Sequence, residues 1–339
     1  MTGSGPLSMG VGLFPTEPVG AMVSYVELCE ELGYDNVWIG DSQNIWREST
    51  TVMAAAAART SRVVFGTGVT NAVTRHRSLL ASSWATLAEY TGGRAILGIG
   101  TGDSSLRTMG LKPLKLAELE QAVEELRALF RGEEVTEPDS GAGYHLNYLD
   151  GPIDVPIYIA ASAPKILHMS GRIADGVIVL VGTSVPFIEA AKERIAAGAR
   201  EAGKDPADIR IVLWTPTAIH EDRTEARDLV RAHVSRVVIR PLPAPVEDHL
   251  QSAIDKIRES YDYYHHMDTE ASHADLVPDE LVDIFALAGT PAEVEERLRE
   301  IAPLVDQVSI VPFVRPGESK EPTIRSFAEI ASRLVPADA

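Results

Sequence analysis

RVVFGTGVTNAVTRHRSLLASSWATLAEYTGGRAILGIGTGDSS, residues 62–105, holds the pattern that decides the fold. A short run of β-branched and apolar residues (62–68) leads into a helical stretch (76–93) that stops at Gly92 and Gly93, and a second apolar run follows at 95–100. Neither run alternates polar with apolar residues, which marks strands covered on both faces. Glycine at the stop suits a left-handed helix cap. Strand, helix, strand of this kind is one βαβ unit, and the right-handed crossover makes its strands parallel.

Outward from this unit the rhythm repeats. Apolar runs at 9–14, 35–40, 156–160, 176–180, 209–217 and 307–313 bring the strands to eight. Helical stretches at 19–33, 115–134, 163–176, 184–204 and 321–335 follow most of them, and the alanine run near residue 55 is a further helix core. Eight strand-helix repeats predict an α/β fold, one (β/α)8 TIM barrel. Residues 1–8 read as a flexible tail and 9–339 as a single barrel domain. Two segments break the rhythm. Residues 132–155 read as a loop or small hairpin, and 222–290 as a helical, acidic insertion before the eighth strand.

Composition narrows the function. The chain has 339 residues, 45% hydrophobic and 24% charged, a packed globular profile rather than a disordered one. Its net charge of −18 argues against a broad nucleic-acid or anionic-membrane surface, since both need basic patches to replace counterions. A small anionic ligand needs only a few local donors. Cys29, the one cysteine, sits in a helical pattern and reads as a small buried apolar residue, so a reducing cytoplasm is expected. The N-terminus lacks a basic start followed by an apolar run, and no apolar stretch is long enough to span a membrane. His265–His266 come without an HExxH motif or a cysteine cluster, so no metal site is expected.

In a barrel the chemistry gathers where strands exit at their C-terminal ends. The first exit, FPTEP, fixes Glu17 between two prolines, either as a solvated loop acid or as a group that handles a proton. The second, GDSQNIW, ends a buried strand on Asp41. Asp41 and Ser42 suit a helix cap, a ligand contact or both, and Trp46 offers a flat surface for a ring. The third, GTGVTNAVTRHR, pairs two glycines around Thr67, a kink that would push backbone and the Thr67 hydroxyl into a pocket. Arg75, His76 and Arg77 beyond it either start a solvated helix or meet an anionic tail. The fourth, GIGTGDSS, is glycine-rich but lacks the dinucleotide spacing GxGxxG. The fifth and sixth, IAASAPK and VLVGTS, put small residues before helices, where backbone N–H groups bind phosphate.

Together with VGLFPTEP, GYDNVWIGDS and IAASAPKILHMSGRIADGVIV, the GTGVTN and GGRAILGIGTGD runs make the chain resemble the bacterial-luciferase-like superfamily. Within it the chain looks most like the deazaflavin-dependent methylenetetrahydromethanopterin reductases and their relatives, over nearly its whole length. The resemblance implies a (β/α)8 barrel that binds coenzyme F420, an 8-hydroxy-5-deazaflavin that shuttles a hydride. It implies that Gly68–Val69 is a non-prolyl cis peptide bulging against the ring, with Asp41 and Thr67 near it. The backbone of Ala161, Ser162, Ala163 and Pro164, with Gly182 and Thr183, would hold the tail phosphate. Ser42, Asn71 and Thr101 complete the expected cofactor contacts, and Glu17, Asp41 and Trp46 the catalytic set. Many relatives carry Asp-His at the second exit where this chain has Asp41-Ser42, so the substrate does not follow.

The expectation is therefore a coenzyme F420-dependent oxidoreductase that acts on a small organic substrate. An FMN-dependent monooxygenase of the same superfamily and a barrel that only binds are the alternatives. A homodimer or higher homo-oligomer is expected, through helices near the second and third strands.

Overall fold

A computed structural model describes residues 7–260 and 274–334. The chain opens with β1 (Ser8–Leu13), α1 (Val19–Glu31), β2 (Asn36–Ile39), α2 (Ser49–Ala57), β3 (Val64–Thr67), α3 (Arg77–Thr91), β4 (Ala95–Ile99), the short α4 (Ser104–Arg107) and α5 (Leu116–Phe130). A hairpin of β5 (Val135–Thr136) and β6 (Gly143–Tyr144) follows, then β7 (Ile157–Ala161), α6 (Pro164–Ile173), β8 (Gly176–Val179), α7 (Val185–Glu201) and β9 (Arg210–Ile219). After β9 come α8 (Arg223–Val238), α9 (Asp248–Ser260), α10 (Asp279–Phe285), β10 (Leu287–Gly289), α11 (Pro291–Ile301), β11 (Gln307–Pro312) and α12 (Glu321–Ser332).

Strands β1, β2, β3, β4, β7, β8, β9 and β11 pair in parallel, and the β8–β9 pairing closes the ring into the eight-stranded barrel. All eight coincide with the apolar runs of the sequence to within about two residues. Their burial explains that agreement, since every residue of β2, β4, β8 and β11 is buried. The ninth strand, β10, adds to the C-terminal end of β9, with Leu287 opposite Thr217 and Gly289 opposite Ile219. It lengthens β9 past residue 217, where the apolar run ends, and ties the segment after β9 to the barrel's C-terminal rim. Residues 1–6 of the expected tail and His265–His266 lie outside the described residues, and Ser8 is already strand, paired with Gln307.

Inside the ring, Trp38 and Trp214 pack with Ile96, Ile178, Val212 and Val311. They fill space that glycines leave. A Cβ on Gly66 would lie 2.4 Å from Trp38, and Cβ atoms on Gly12 and Gly68 would each lie 2.4 Å from Trp214. The glycines of the GTG run thus serve barrel packing as much as backbone freedom. Outside, α6 and α7 cross at contact. A Cβ on Gly171 would lie 2.0 Å from the Ile195 carbonyl, and one on Gly198 would lie 1.9 Å from the His168 carbonyl. That close crossing positions α6, whose first turn faces the rim. The insertion has its own apolar core around Val230, Val234, Ile254, Leu281 and Phe285.

Candidate active site

A cleft of about 440 Å³ opens at the C-terminal ends of the strands. Phe14 from the β1 exit, Asp41 and Trp46 from the β2 exit, and the Gly68–Thr70 backbone line it. So do Gly100–Ser105 after β4, Ala160–Ala163 with Lys165 from β7 and α6, Trp214 from β9, and His233, Arg236 and Arg240 from or just past α8. The Gly68–Val69 peptide is cis, as the resemblance implied.

Asp41 is the buried acid of the cleft, 5% exposed. One carboxylate oxygen, Oδ2, pairs with Arg75 Nη1, and Arg75 Nη2 reaches Glu48 Oε1 at 3.0 Å. Burial of Arg75 would favour its neutral form, but Asp41 and Glu48 outweigh that and raise its pKa. The other carboxylate oxygen, Asp41 Oδ1, is buried without a hydrogen-bond partner. Trp46 stacks on Phe14 with centroids 4.5 Å apart and planes 11° from parallel. Its Nε1–H is also buried without a partner. Both residues line the cleft, and buried polar groups normally find partners.

The predicted phosphate exits divide. Ala161, Ser162 and Ala163 line the cleft, and Pro164 opens α6 behind an Ala163 cap that offers no side-chain bond. The first-turn N–H groups of α6 thus have no side-chain cap, an arrangement that suits an anion. Gly182 and Thr183 lie outside the cleft lining. Thr183 is fully buried, and its hydroxyl turns to the carbonyls at the end of α10, 3.1 Å from that of Ala286. Gly182 packs against the Ile284 carbonyl, 2.4 Å from where a Cβ would sit. The insertion takes up this exit, which the local sequence does not reveal.

Other predicted residues support the cleft from behind. The Thr67 hydroxyl donates to the Gly98 carbonyl at 2.7 Å, not into the pocket as expected, because β4 is the nearest acceptor to a buried hydroxyl. Ser42 Oγ lies 3.2 Å from Ser104 Oγ. Asn71 Nδ2 donates to Ser105 Oγ at 3.1 Å, while its Oδ1 accepts the N–H groups of Val73 and Thr74. These bonds fasten the β2 and β3 exits to α4. Thr101 lines the cleft itself.

Glu17 stands outside the cleft lining and pairs with Lys320, while the Thr16 hydroxyl donates to its other oxygen at 2.6 Å. Burial alone would raise its pKa, but Lys320 and Thr16 outweigh burial and hold it below the usual carboxylate value. The basic run after β3 is spent on protein carboxylates: Arg75 on Asp41, His76 on Glu137 at 2.7 Å, and Arg77 on Glu125. The cations that do line the cleft are Lys165, Arg107, Arg236 and Arg240, which the sequence reading missed. Lys165 was legible beside the predicted phosphate turn. The arginines near the end of α8 were not, because nothing in a solvated-looking helix tells that it folds back over the rim.

A cleft of aromatic walls and buried charges at the C-terminal face of a parallel barrel is the site of a small-molecule enzyme. Residues 3–307 match the family model described as luciferase-like monooxygenase. The chain is 31% identical over 333 residues to the 5,10-methylenetetrahydromethanopterin reductase of Methanolobus tindarius, covering 94% of this chain and 98% of that one. It is 32% identical over 240 residues to the F420-dependent glucose-6-phosphate dehydrogenase of Nakamurella multipartita, covering 66% and 70%. The structure of the coenzyme F420 dependent tetrahydromethanopterin reductase from Methanopyrus kandleri superposes with a TM-score of 0.79 at 24% identity, over 98% of this chain and 100% of that one. The chain belongs to the luciferase-like monooxygenase family, and it is an oxidoreductase. No helix among the described residues is long and apolar enough to cross a membrane.

Proposed function

We propose that the chain is a coenzyme F420-dependent oxidoreductase acting on a small organic substrate. The observation that carries this reading is the pair of unpartnered buried atoms, Asp41 Oδ1 and Trp46 Nε1, beside the cleft that Gly68 and Val69 line. A polar ring system with both donor and acceptor edges would satisfy them. The names of relatives about 30% identical to this chain support a deazaflavin over FMN.

When bound, the deazaflavin supplies or accepts the hydride. The rest is the work of this chain. Ala161–Ala163 and the first turn of α6 hold the cofactor phosphate, and small side chains let it approach the backbone. Gly68, Val69 and Thr101, which line the cleft, would contact the ring. Asp41, held by Arg75, orients a polar edge, and Phe14 with Trp46 bounds the substrate space and excludes water. Thr67, Ser42 and Asn71 act as positioning residues through the bonds described above. The exposed Leu79 and Tyr90 on α3 are the face through which we expect two copies to associate.

Titration of the purified protein with coenzyme F420 and, separately, with FMN tests the reading. Saturable quenching of tryptophan fluorescence by F420 alone is expected. Tight FMN binding with no response to F420 would overturn it in favour of a flavin monooxygenase.

A further inference from the structure

One end of the cleft is built from parts that the cofactor reading leaves unused. His233, Arg236 and Arg240 lie three and four residues apart, so α8 and the residues just past it present them along one stripe. His233 sits in the aromatic corner, its ring 4.6 Å from Phe313 and 6.5 Å from Phe14, which stacks on Trp46. Arg236 and Arg240 continue the stripe to Asp103 at the β4 exit. Arg236 Nη2 lies 3.1 Å from Asp103 Oδ2, Arg240 bonds the same oxygen, and Arg107 Nε lies 3.0 Å from Oδ1. Burial alone would raise the Asp103 pKa, but Arg236 and Arg240 dominate and hold it far below the usual range. In a chain of net charge −18, three guanidinium groups thus converge beside the cleft on a carboxylate that the protein itself supplies.

We propose that this end of the cleft is an oxyanion subsite, and that the substrate carries a carboxylate or phosphate that Arg236 and Arg240 recognise. The proposal rests on the cleft being the active site and deepens that reading by naming the substrate class. Asp103 shows that the arginines accept a carboxylate, and it keeps them oriented while it competes with an incoming anion. The subsite serves the substrate, because its stripe runs on through His233 to the Phe14–Trp46 pair, whereas the small-residue turn at Ala161–Ala163 is the place for the cofactor phosphate.

The test uses inorganic phosphate and succinate as probes, with succinamide as the neutral control and chloride holding ionic strength constant. Quenching of tryptophan fluorescence reads binding, since Trp46 and Trp214 line the cleft. Both anions are expected to bind saturably, to the protein alone and to the F420-loaded protein. Asp103→Asn should tighten binding about tenfold, because a carboxylate that competes for the same guanidinium groups is removed, and Arg236→Gln should weaken it about tenfold. Thermal melts accompany each variant, and Arg240→Gln carries the same expectation should Arg236→Gln not fold. Absence of saturable binding, equal affinities across the variants, or loss of anion binding on loading F420 would each overturn the proposal. Should F420 itself not bind, the cofactor reading falls, while the titration of the protein alone still decides this one.

Discussion

The two oxygens of Asp41 differ. Oδ2 pairs with a buried arginine, and Oδ1 is buried without a hydrogen-bond partner, which under the proposed function the cofactor ring would supply. Removing the charge should therefore cost both stability and binding. Asp41→Asn leaves Arg75 with Glu48 as its remaining carboxylate partner. Unfolding in urea should show a loss of about 2 kcal/mol, within the range for breaking a partly buried charge pair. The same variant should weaken F420 binding about tenfold, the worth of one good hydrogen bond to a buried group. A variant as stable as its parent would show that the pair does not hold the second exit in place. Glycines act at this scale too. Gly98 has no room for a side chain, since a Cβ would lie 1.9 Å from the Thr67 carbonyl.

Among the elements, the joints between helix and strand are held by a few directed bonds. Glu30, in the last turn of α1, accepts the N–H groups of Ser61, Arg62 and Val63 at 2.6–3.0 Å and so fixes the approach to β3. The slight burial raises its pKa, but these three donors and the Arg62 charge outweigh it and bring the carboxyl down to about 2. A depressed folded-state value stabilises the fold at pH above the unfolded value of about 4.3, and that contribution fades as pH falls toward 2. Glu30→Gln should cost about 1 kcal/mol at pH 7, because the site is largely exposed. The difference in melting temperature between variant and parent should shrink as pH is lowered from 7 to 3. A gap that stayed constant over that range would mean the carboxylate charge is not what stabilises the joint.

For the whole molecule, the barrel brings together what the chain keeps apart. Asp103 and Arg240 are separated by 137 residues, yet they bond across the cleft mouth because β10 pairs with β9 and seats the insertion on the rim. The outer surface carries Leu79 and Tyr90, 55% and 60% exposed, on one helix. Light scattering on the purified protein should therefore give twice the 36.6 kDa chain mass, and Tyr90→Glu should return it to the single-chain value. A parent that already scatters as one chain would remove α3 as an interface.

By itself the sequence determined the fold class: apolar runs alternating with helices make parallel strands buried on both faces, and eight such repeats are the count of a (β/α)8 barrel. Its strand exits also pointed to Asp41, Trp46 and the Ala161–Ala163 turn, since buried acids and small residues before a helix have few other uses. The tertiary structure decided which candidates meet. It sent the hydroxyls of Thr67 and Thr183 to backbone carbonyls, tied Glu17 to Lys320, and used the glycines around Thr67 to make room for two tryptophans. It also brought Arg236 and Arg240 to the cleft. Hydrogen bonds and ion pairs form between groups distant in sequence, so local pattern names the donors and acceptors, and only the closed chain shows which of them meet.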